Sequence, residues 1–313
     1  MLGKTAGGLY WMFRFLERAE NTARLLEAGF RIALTRSTDA ESEWRSVIIT
    51  LAAQQGFEAK YDTYDSTHVI NYLLRDADNP SSILSVVNAA RDNARLVRTA
   101  LTSEVWMSVN ETWMQLTQIL KHQVREVDLP DVLATIRQQA ALVRGALNGT
   151  MLRTDVYRFC QVGIHIERID NTARIIDVKY YSLLPATSIV GGRLDNVQWE
   201  TLLRSVSAHR SFRWAVEDGY TGPAIANFLI LDSRLPRSLI FCSKEIVSNL
   251  AFIEQAYGER ATCHDMADKL LQRFSNREIS TIFEEGLHEF ISSVLGDTAN
   301  LGYQIEKDYR FNI

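Results

Sequence analysis

Two sets of side chains in this 313-residue chain have the types and spacing for chemistry. The first is Glu17-Arg18-Ala19-Glu20-Asn21-Thr22-Ala23-Arg24, which returns 150 residues later as Glu167-Arg168-Ile169-Asp170-Asn171-Thr172-Ala173-Arg174. At 100° per residue, Arg14, Glu17, Arg18, Asn21 and Arg24 share one side of a helix, and Met12, Phe15, Leu16, Ala19, Ala23 and Leu26 share the other. A polar helix face is ordinarily solvated and laced by i,i+4 contacts. A solvated face drifts between copies, however, and here Glu, Arg, Asn, Thr, Ala and Arg keep both identity and spacing. That favours buried or interfacial roles, in which each charge must find a partner. Three readings stay open: a structural Glu–Arg lattice where the two helices meet, a ligand-facing polar site, and a plain surface. In the second, Glu17 or Glu167 would act as general base, with Arg14, Arg18 and Arg168 as anion-binding or partner-binding groups.

The second set is Asn88, Arg91, Arg95, Arg98 and Thr102, which fall within roughly 80° of one another on one helix. No carboxylate shares that stripe. Three guanidiniums on one face repel unless an anion answers them, and a planar fork of N–H donors suits a carboxylate or phosphate. Neighbouring helices could supply Glu or Asp instead, or solvent could screen the charges. In the second half, at an offset of 156, Val247, Ala251 and Glu254 stand in these places, so the stripe belongs to the first half alone.

Other motifs are weaker. Glu285-Gly286-Leu287-His288 has the ExxH spacing of di-iron bundles, but no second ExxH accompanies it, so no metal is expected. His165, beside Glu167, and His264, beside Asp265, could titrate near neutrality, although lone helical histidines are more often packed or exposed than catalytic. There is no nucleophile elbow, GxGxxG or Walker A loop, and no cofactor is expected. Trp11, Trp44, Trp106, Trp113, Trp199 and Trp214 sit at mostly apolar helical positions, where core packing explains them.

The elements that must position these groups are helices. Apolar residues recur at helical spacing almost everywhere, with no strictly alternating strand. The pattern predicts helices over 8–36, 40–54, 66–77, 80–102, 104–123, 131–148, 154–184, 195–208, 222–232, 236–257, 263–274 and 277–308. Thr38 with Glu41 reads as a capping box, Asn79 as an N-cap before Pro80, Pro185 as a stop and Gly191-Gly192 as the loop beyond it. A second internal match, Asn71-Tyr72-Leu73 through Asp76 to Pro80 against Asn227-Phe228-Leu229 through Asp232 to Pro236, follows the same order. The expected fold is all-α: a duplicated bundle of about twelve helices with internal pseudo-twofold symmetry. Its repeats, 1–150 and 151–313, would share one continuous core in a single domain.

Composition agrees. Only 5 prolines occur, hydrophobic residues make up 46% and charged residues 23%, which excludes a disordered or fibrous chain. A net charge of −4 removes the bulk electrostatic case for nucleic acid or an anionic membrane. Three well-separated cysteines fit a reducing compartment, and the N-terminus lacks a signal-peptide pattern, so a soluble cytoplasmic protein is expected.

Taken together, these segments resemble the bacterial alpha-E proteins, a helical family named for its Glu-Arg motif. The resemblance runs over essentially the whole chain. It is carried by Leu9-Tyr10-Trp11 through Phe15-Leu16-Glu17-Arg18-Ala19-Glu20-Asn21, by Ala90-Arg91-Asp92-Asn93-Ala94-Arg95 through Arg98, by Glu104 with Trp106, and by Ile166-Glu167-Arg168 through Arg174. The family's Gly-Arg pair before the motif is half kept in each copy, as Phe13-Arg14 and Gly163-Ile164. The resemblance implies partnership with an ATP-grasp ligase, alongside transglutaminase-like or peptidase-like proteins, in a system making or modifying peptide-like amide or ester products. The expected role is an accessory subunit that binds the ligase or an anionic peptide-like ligand. Arg91, Arg95 and Arg98 would hold the anion, and Glu17 and Arg18 would orient that layer. The alternatives are a ligase or hydrolase component in its own right and a purely structural helical protein.

Overall fold

The computed structural model describes residues 1–35, 40–182, 193–216 and 219–311. Among the described residues there are fifteen α-helices, one 3-10 turn and no strand. The chain divides into two compact units. The first comprises Met1–Ile164 with Tyr309–Ile313, and the second His165–Asp308. The boundary falls inside one helix, where the repeats in the sequence divide at 150/151.

The first unit contains α1 (Gly3–Thr35), α2 (Ala40–Thr50), α3 (Gln54–Glu58), α4 (Ser66–Arg75), α5 (Ile83–Leu96), a 3-10 turn (Arg98–Ala100), α6 (Ser103–Ile119), α7 (Leu129–Thr150) and the first turns of α8 (Asp155–Ser182). Helix α1 packs on α5 and α7, and α6 packs on the same two, closing a four-helix ring. Helices α2 to α4 extend the same core, in which Leu26, Ile48, Phe57, Ile70, Leu73, Ile83 and Val86 are buried. Each such side chain contributes about 1.5–3 kcal/mol of gross burial energy, most of it offset by conformational entropy.

Burial periodicity orients the arginine helix. Ile83, Val86, Val87, Ala90 and Ala94 point inward from α5, which turns Asn88, Arg91 and Arg95 out. On α6, Val105, Val109, Thr112 and Leu116 are the buried set, leaving Trp106, Asn110 and Trp113 on the flank toward α5.

In the second unit the elements are the rest of α8, α9 (Arg193–Ser205), α10 (His209–Ala215), α11 (Gly222–Leu231), α12 (Leu239–Tyr257), α13 (Thr262–Gln272), α14 (Ile279–Glu285) and α15 (Leu287–Asp308). Helix α13 packs between α12 and α15, and α11 contacts α9, α12 and α14.

Fifteen helices stand where about twelve were expected, for three local reasons. Two short helices, α3 and α10, lie in stretches too brief to show a period. The expected 277–308 helix breaks at Gly286, whose φ of +96° no L side chain adopts readily. Asn79 is not an N-cap either. Its Oδ1 accepts from Ser81 N–H at 2.9 Å and its Nδ2 donates to the Tyr72 carbonyl at 3.0 Å, a local turn, and α5 starts after Ser82, whose hydroxyl accepts from Ser85 N–H. Helix α1 begins at Gly3, before the expected 8, because Gly3 and Gly7 lie against Arg310 and Phe311, and packing overrides propensity there. The capping, stop and loop assignments at Thr38, Pro185 and Gly191-Gly192 lie outside the described residues.

At Gly163 the α8 backbone meets α1 so closely that a Cβ would stand 2.4 Å from the Tyr10 carbonyl oxygen. All three cysteines are buried thiols, Cys160 in the first unit and Cys242 and Cys263 in the second. Burial pushes the Cys160 thiol pKa far above its ordinary value. No helix among the described residues is long and apolar enough to cross a membrane.

Candidate functional site

In the first Glu-Arg copy, α1 carries Glu17 and Glu20 at 1% and 0% exposure. Arg24 donates from Nε to Glu20 Oε1 at 3.1 Å, an i,i+4 bond that helix geometry provides. From α7, Arg144 donates to Glu20 Oε2 and reaches Glu17 Oε2 at 3.5 Å. Two turns on, Glu27 accepts from Arg137 and, at 2.9 Å, from Arg31. Glu20 and Glu27 on one helix, Arg144 and Arg137 on the other, thus form two rungs between antiparallel α1 and α7. Arg14 donates to the Tyr10 hydroxyl at 3.2 Å and lies 4.6 Å over the Trp11 ring, and Arg18 lies 5.8 Å from the Phe15 ring centre. The Glu17 carboxylate is engaged from α7 by Arg144.

The second copy is wired differently. Arg174 donates from Nε and Nη2 to Asp170 at 2.8 and 3.0 Å, in a bidentate pair half open to water. Burial disfavours the Arg174 cation, but these bonds and the charges of Glu167 and Asp177 raise its pKa above the ordinary value. Glu167 is itself buried. Arg168 donates to the Pro236 carbonyl at 3.3 Å, and the buried Thr172 hydroxyl donates to the Arg237 carbonyl at 2.9 Å. Both bonds hold the turn ahead of α12, where Ser238 caps the helix by accepting from Phe241 N–H at 3.1 Å.

The arginine stripe is an open face backed by tryptophan. Arg91 donates from Nε to Asn110 Oδ1 at 2.9 Å and lies 3.9 Å over the Trp113 ring, while Trp113 Nε1 donates to Asn88 Oδ1 at 2.7 Å. Arg98, in the 3-10 turn, lies 5.1 Å over Trp106. Arg95, between them, is 63% exposed on its side chain, and among the described residues the carboxylate paired with the row is Asp92, at 4.0 Å from Arg95. Thr102 leaves the row: its hydroxyl caps α6 at Val105 N–H and meets Thr150 at 2.7 Å. A guanidinium laid on an indole keeps its charge and its outer N–H donors while losing freedom, a contact worth about 0.5–1 kcal/mol at an exposed site. The row is therefore a preorganised set of three cations facing water.

The structure thus separates the expected site residues into three groups: Glu17 with Arg144, Arg168 with the Pro236 turn, and Arg91, Arg95 and Arg98 with α6. Sequence reasoning missed Trp106, Asn110 and Trp113, although their 4- and 3-residue spacing repeats that of Arg91, Arg95 and Arg98. It missed Arg144 as well, which no local pattern marks. Trp106 and Trp113 are half-buried and Trp214 is 82% exposed, so core packing does not account for these three.

Elsewhere, a cavity of about 530 Å³ in the first unit is lined by Phe30, Trp44, Glu41, Asp65, Ser66 and Glu126 among others, and none of the expected site residues borders it. His264 is buried, accepting at Nδ1 from Ala261 N–H and donating from Nε2 to the Leu250 carbonyl, both at 3.1 Å. His165 is buried with its ring 6.1 Å from that of Phe241. Glu285 pairs with Arg277, and His288 with Asp177 at 2.5 Å, so the ExxH residues serve separate pairs across the Gly286 break. Among the described residues no group of three His, Cys, Asp or Glu is placed to hold a metal ion.

Residues 1–309 match the model of a family described as Alpha-E, a predicted alpha-helical domain with a conserved ER motif. Among curated proteins, the chain is 25% identical over 320 residues to the uncharacterized protein Mb2597 of Mycobacterium bovis, and 24% identical to the uncharacterized protein Rv2567 of Mycobacterium tuberculosis. In each case the match covers 92% of this chain and 34% of the relative, so the chain spans about a third of the length of the curated relatives it matches. No solved structure matches it.

Proposed function

As the chain belongs to the Alpha-E family, we propose that it is an accessory component of an ATP-grasp ligase system making or modifying peptide-like amide or ester products. In this reading it binds an anionic group, carboxylate or phosphate, or the ligase itself, through Arg91, Arg95 and Arg98. One observation carries the anion half. Arg91 and Arg95 on α5 and Arg98 in the 3-10 turn beyond it form an exposed row, two of them braced on indoles, and among the described residues the carboxylate paired with the row is the loosely placed Asp92. The ligase half rests on the family resemblance. The same reading takes the two units to be duplicates, because the Glu-Arg segment and the Asp-to-Pro turn recur in order and Ser82 and Ser238 cap equivalent helices. A cytoplasmic setting goes with it, since buried thiols suit a reducing compartment. The accessory role is preferred to an enzyme with Glu17 as general base because Glu17, 1% exposed and held by Arg144, lacks an open approach for substrate.

The test has two arms. Co-purification with the cognate ligase, or a change in its turnover, is expected; the absence of both would remove the partner role. Titration with triglutamate should show binding that Arg95→Ala weakens by about 1.5–3 kcal/mol, the range for a hydrogen bond to a charged group. Arg95→Lys should also weaken it, since an ammonium lacks the bidentate fork.

A further inference from the structure

Beside the arginine row lies a second one. Met107 and Met114 are 65% and 51% exposed, seven residues apart on the outermost side of α6, with Asn110 between them on the same helix. The rows lie side by side: Arg91 and Arg95 on the α5 flank with Arg98 just past its end on Trp106, then Trp106, Asn110 and Trp113, then Met107 and Met114 beyond. At 1.5 Å per residue each row runs about 10 Å, two turns of helix. Two turns apart on one side of α6, these thioethers can be covered by a single ligand, and methionine adapts readily to the side chains of a docking helix.

Building on the anion-binding reading above, we infer that the α5–α6 face docks an acidic amphipathic helix of a partner protein. Its carboxylates, one helical turn apart, would pair with Arg91, Arg95 and Arg98, and its apolar stripe would lie on Met107 and Met114. Three features select that occupant. The charge on the face is positive although the chain as a whole carries −4, so the complementarity is local. Arg91 and Arg98 are anchored on indoles seven residues apart on α6, with Arg95 between them, a spacing that carboxylates at i, i+4 and i+7 of a second helix match. An extended polyanion, whether nucleic acid or a poly-glutamate coil, would use the arginines and leave the methionine row idle.

The probe is a helical peptide with Glu at i, i+4 and i+7 and Leu along the neighbouring stripe, compared with a permuted peptide of the same composition whose Glu residues are spread around the helix. Binding is read by anisotropy of the labelled peptide and by the fluorescence of Trp106 and Trp113, with thermal melts to confirm that each variant folds. The patterned peptide is expected to bind about 10-fold or more tightly than the permuted one, and Arg95→Glu should weaken it by about 10- to 100-fold, as for loss of a charge-assisted contact. Met107→Ser with Met114→Ser should weaken the patterned peptide several-fold and leave triglutamate binding unchanged. If triglutamate binds through the arginines while the two helices bind alike, the docking inference fails and the anion site stands. If no probe responds to Arg91, Arg95 or Arg98, both fail. Equal binding of a single-stranded oligonucleotide or phosphatidylserine vesicles, insensitive to the methionine changes, would also overturn the helix.

Discussion

In α1 the Glu17–Arg24 segment turns two carboxylates inward to Arg144, whereas in α8 the Glu167–Arg174 segment sends Arg168 and Thr172 to the backbone of the turn before α12. The wording of the two copies is close, and the difference comes from what faces them. Helix α7 brings Arg137 and Arg144 to α1, while Asp170 on α8 is answered from one turn further along its own helix by Arg174. A buried carboxylate is costly unless it is paired. Position 170 accordingly has the shorter Asp, half open to water and closed by its own Arg174. The neighbours of a repeated motif decide which of its polar groups are buried and with whom.

The largest effect that would break this comparison is at Arg144. Arg144→Ala should cost about 3–5 kcal/mol, because it leaves Glu17 and Glu20 buried with less countercharge. Urea unfolding would register it, and a second change, Glu20→Gln, should recover part of the loss. An unchanged midpoint would mean that the α1–α7 rungs hold nothing together. Next comes Thr172→Val, expected to cost about 1–3 kcal/mol by leaving the Arg237 carbonyl unsatisfied. Hydrogen exchange should then show faster opening at the start of α12 than in the parent protein. Arg174→Ala should cost only about 0.2–1 kcal/mol, since its pair with Asp170 is part-exposed and screened. A loss as large as that at Arg144 would erase the contrast between the copies.

The smallest effect at neutrality concerns the two Asp-to-Pro turns. At Asp76 burial would raise the carboxyl pKa, but Lys60, at 2.7 Å, the Asp78 N–H and the Tyr61 hydroxyl together hold it below the ordinary 3.8. At Asp232 the Arg234 bonds depress it, against burial. A carboxyl depressed in the folded state stabilises above its unfolded pKa and loses that contribution as pH falls through the folded one. Melting temperature should therefore be flat from neutrality to about pH 4 and fall below it, and Asp76→Asn with Asp232→Asn should flatten the acid limb. An acid limb that keeps its slope in the double variant would place the acid sensitivity elsewhere.

Helices and their inward faces were legible in the sequence because the 3.6-residue period is a local signal, and it correctly set Arg91 and Arg95 apart from Ile83, Val86 and Ala90. What lay across from those faces was not legible. Glu20 meets Arg144 from 124 residues away, and the period of one helix carries no information about which neighbour it meets. Trp106 and Trp113 looked like core for the same reason: an indole half-covered by a guanidinium and one covered by leucines share the same spacing. Gly286 hid its break because a positive φ leaves no trace in a hydrophobic pattern.

The three interior thiols give each unit its own clock. A disulfide reagent needs an exposed thiolate, and burial denies it to Cys160 in the first unit and to Cys242 and Cys263 in the second. Labelling then waits on transient opening, so the rate at each sulfur times how often its own surroundings come apart. Mass spectrometry of a single labelling reaction would thus yield separate opening rates for two halves that a melting curve averages into one.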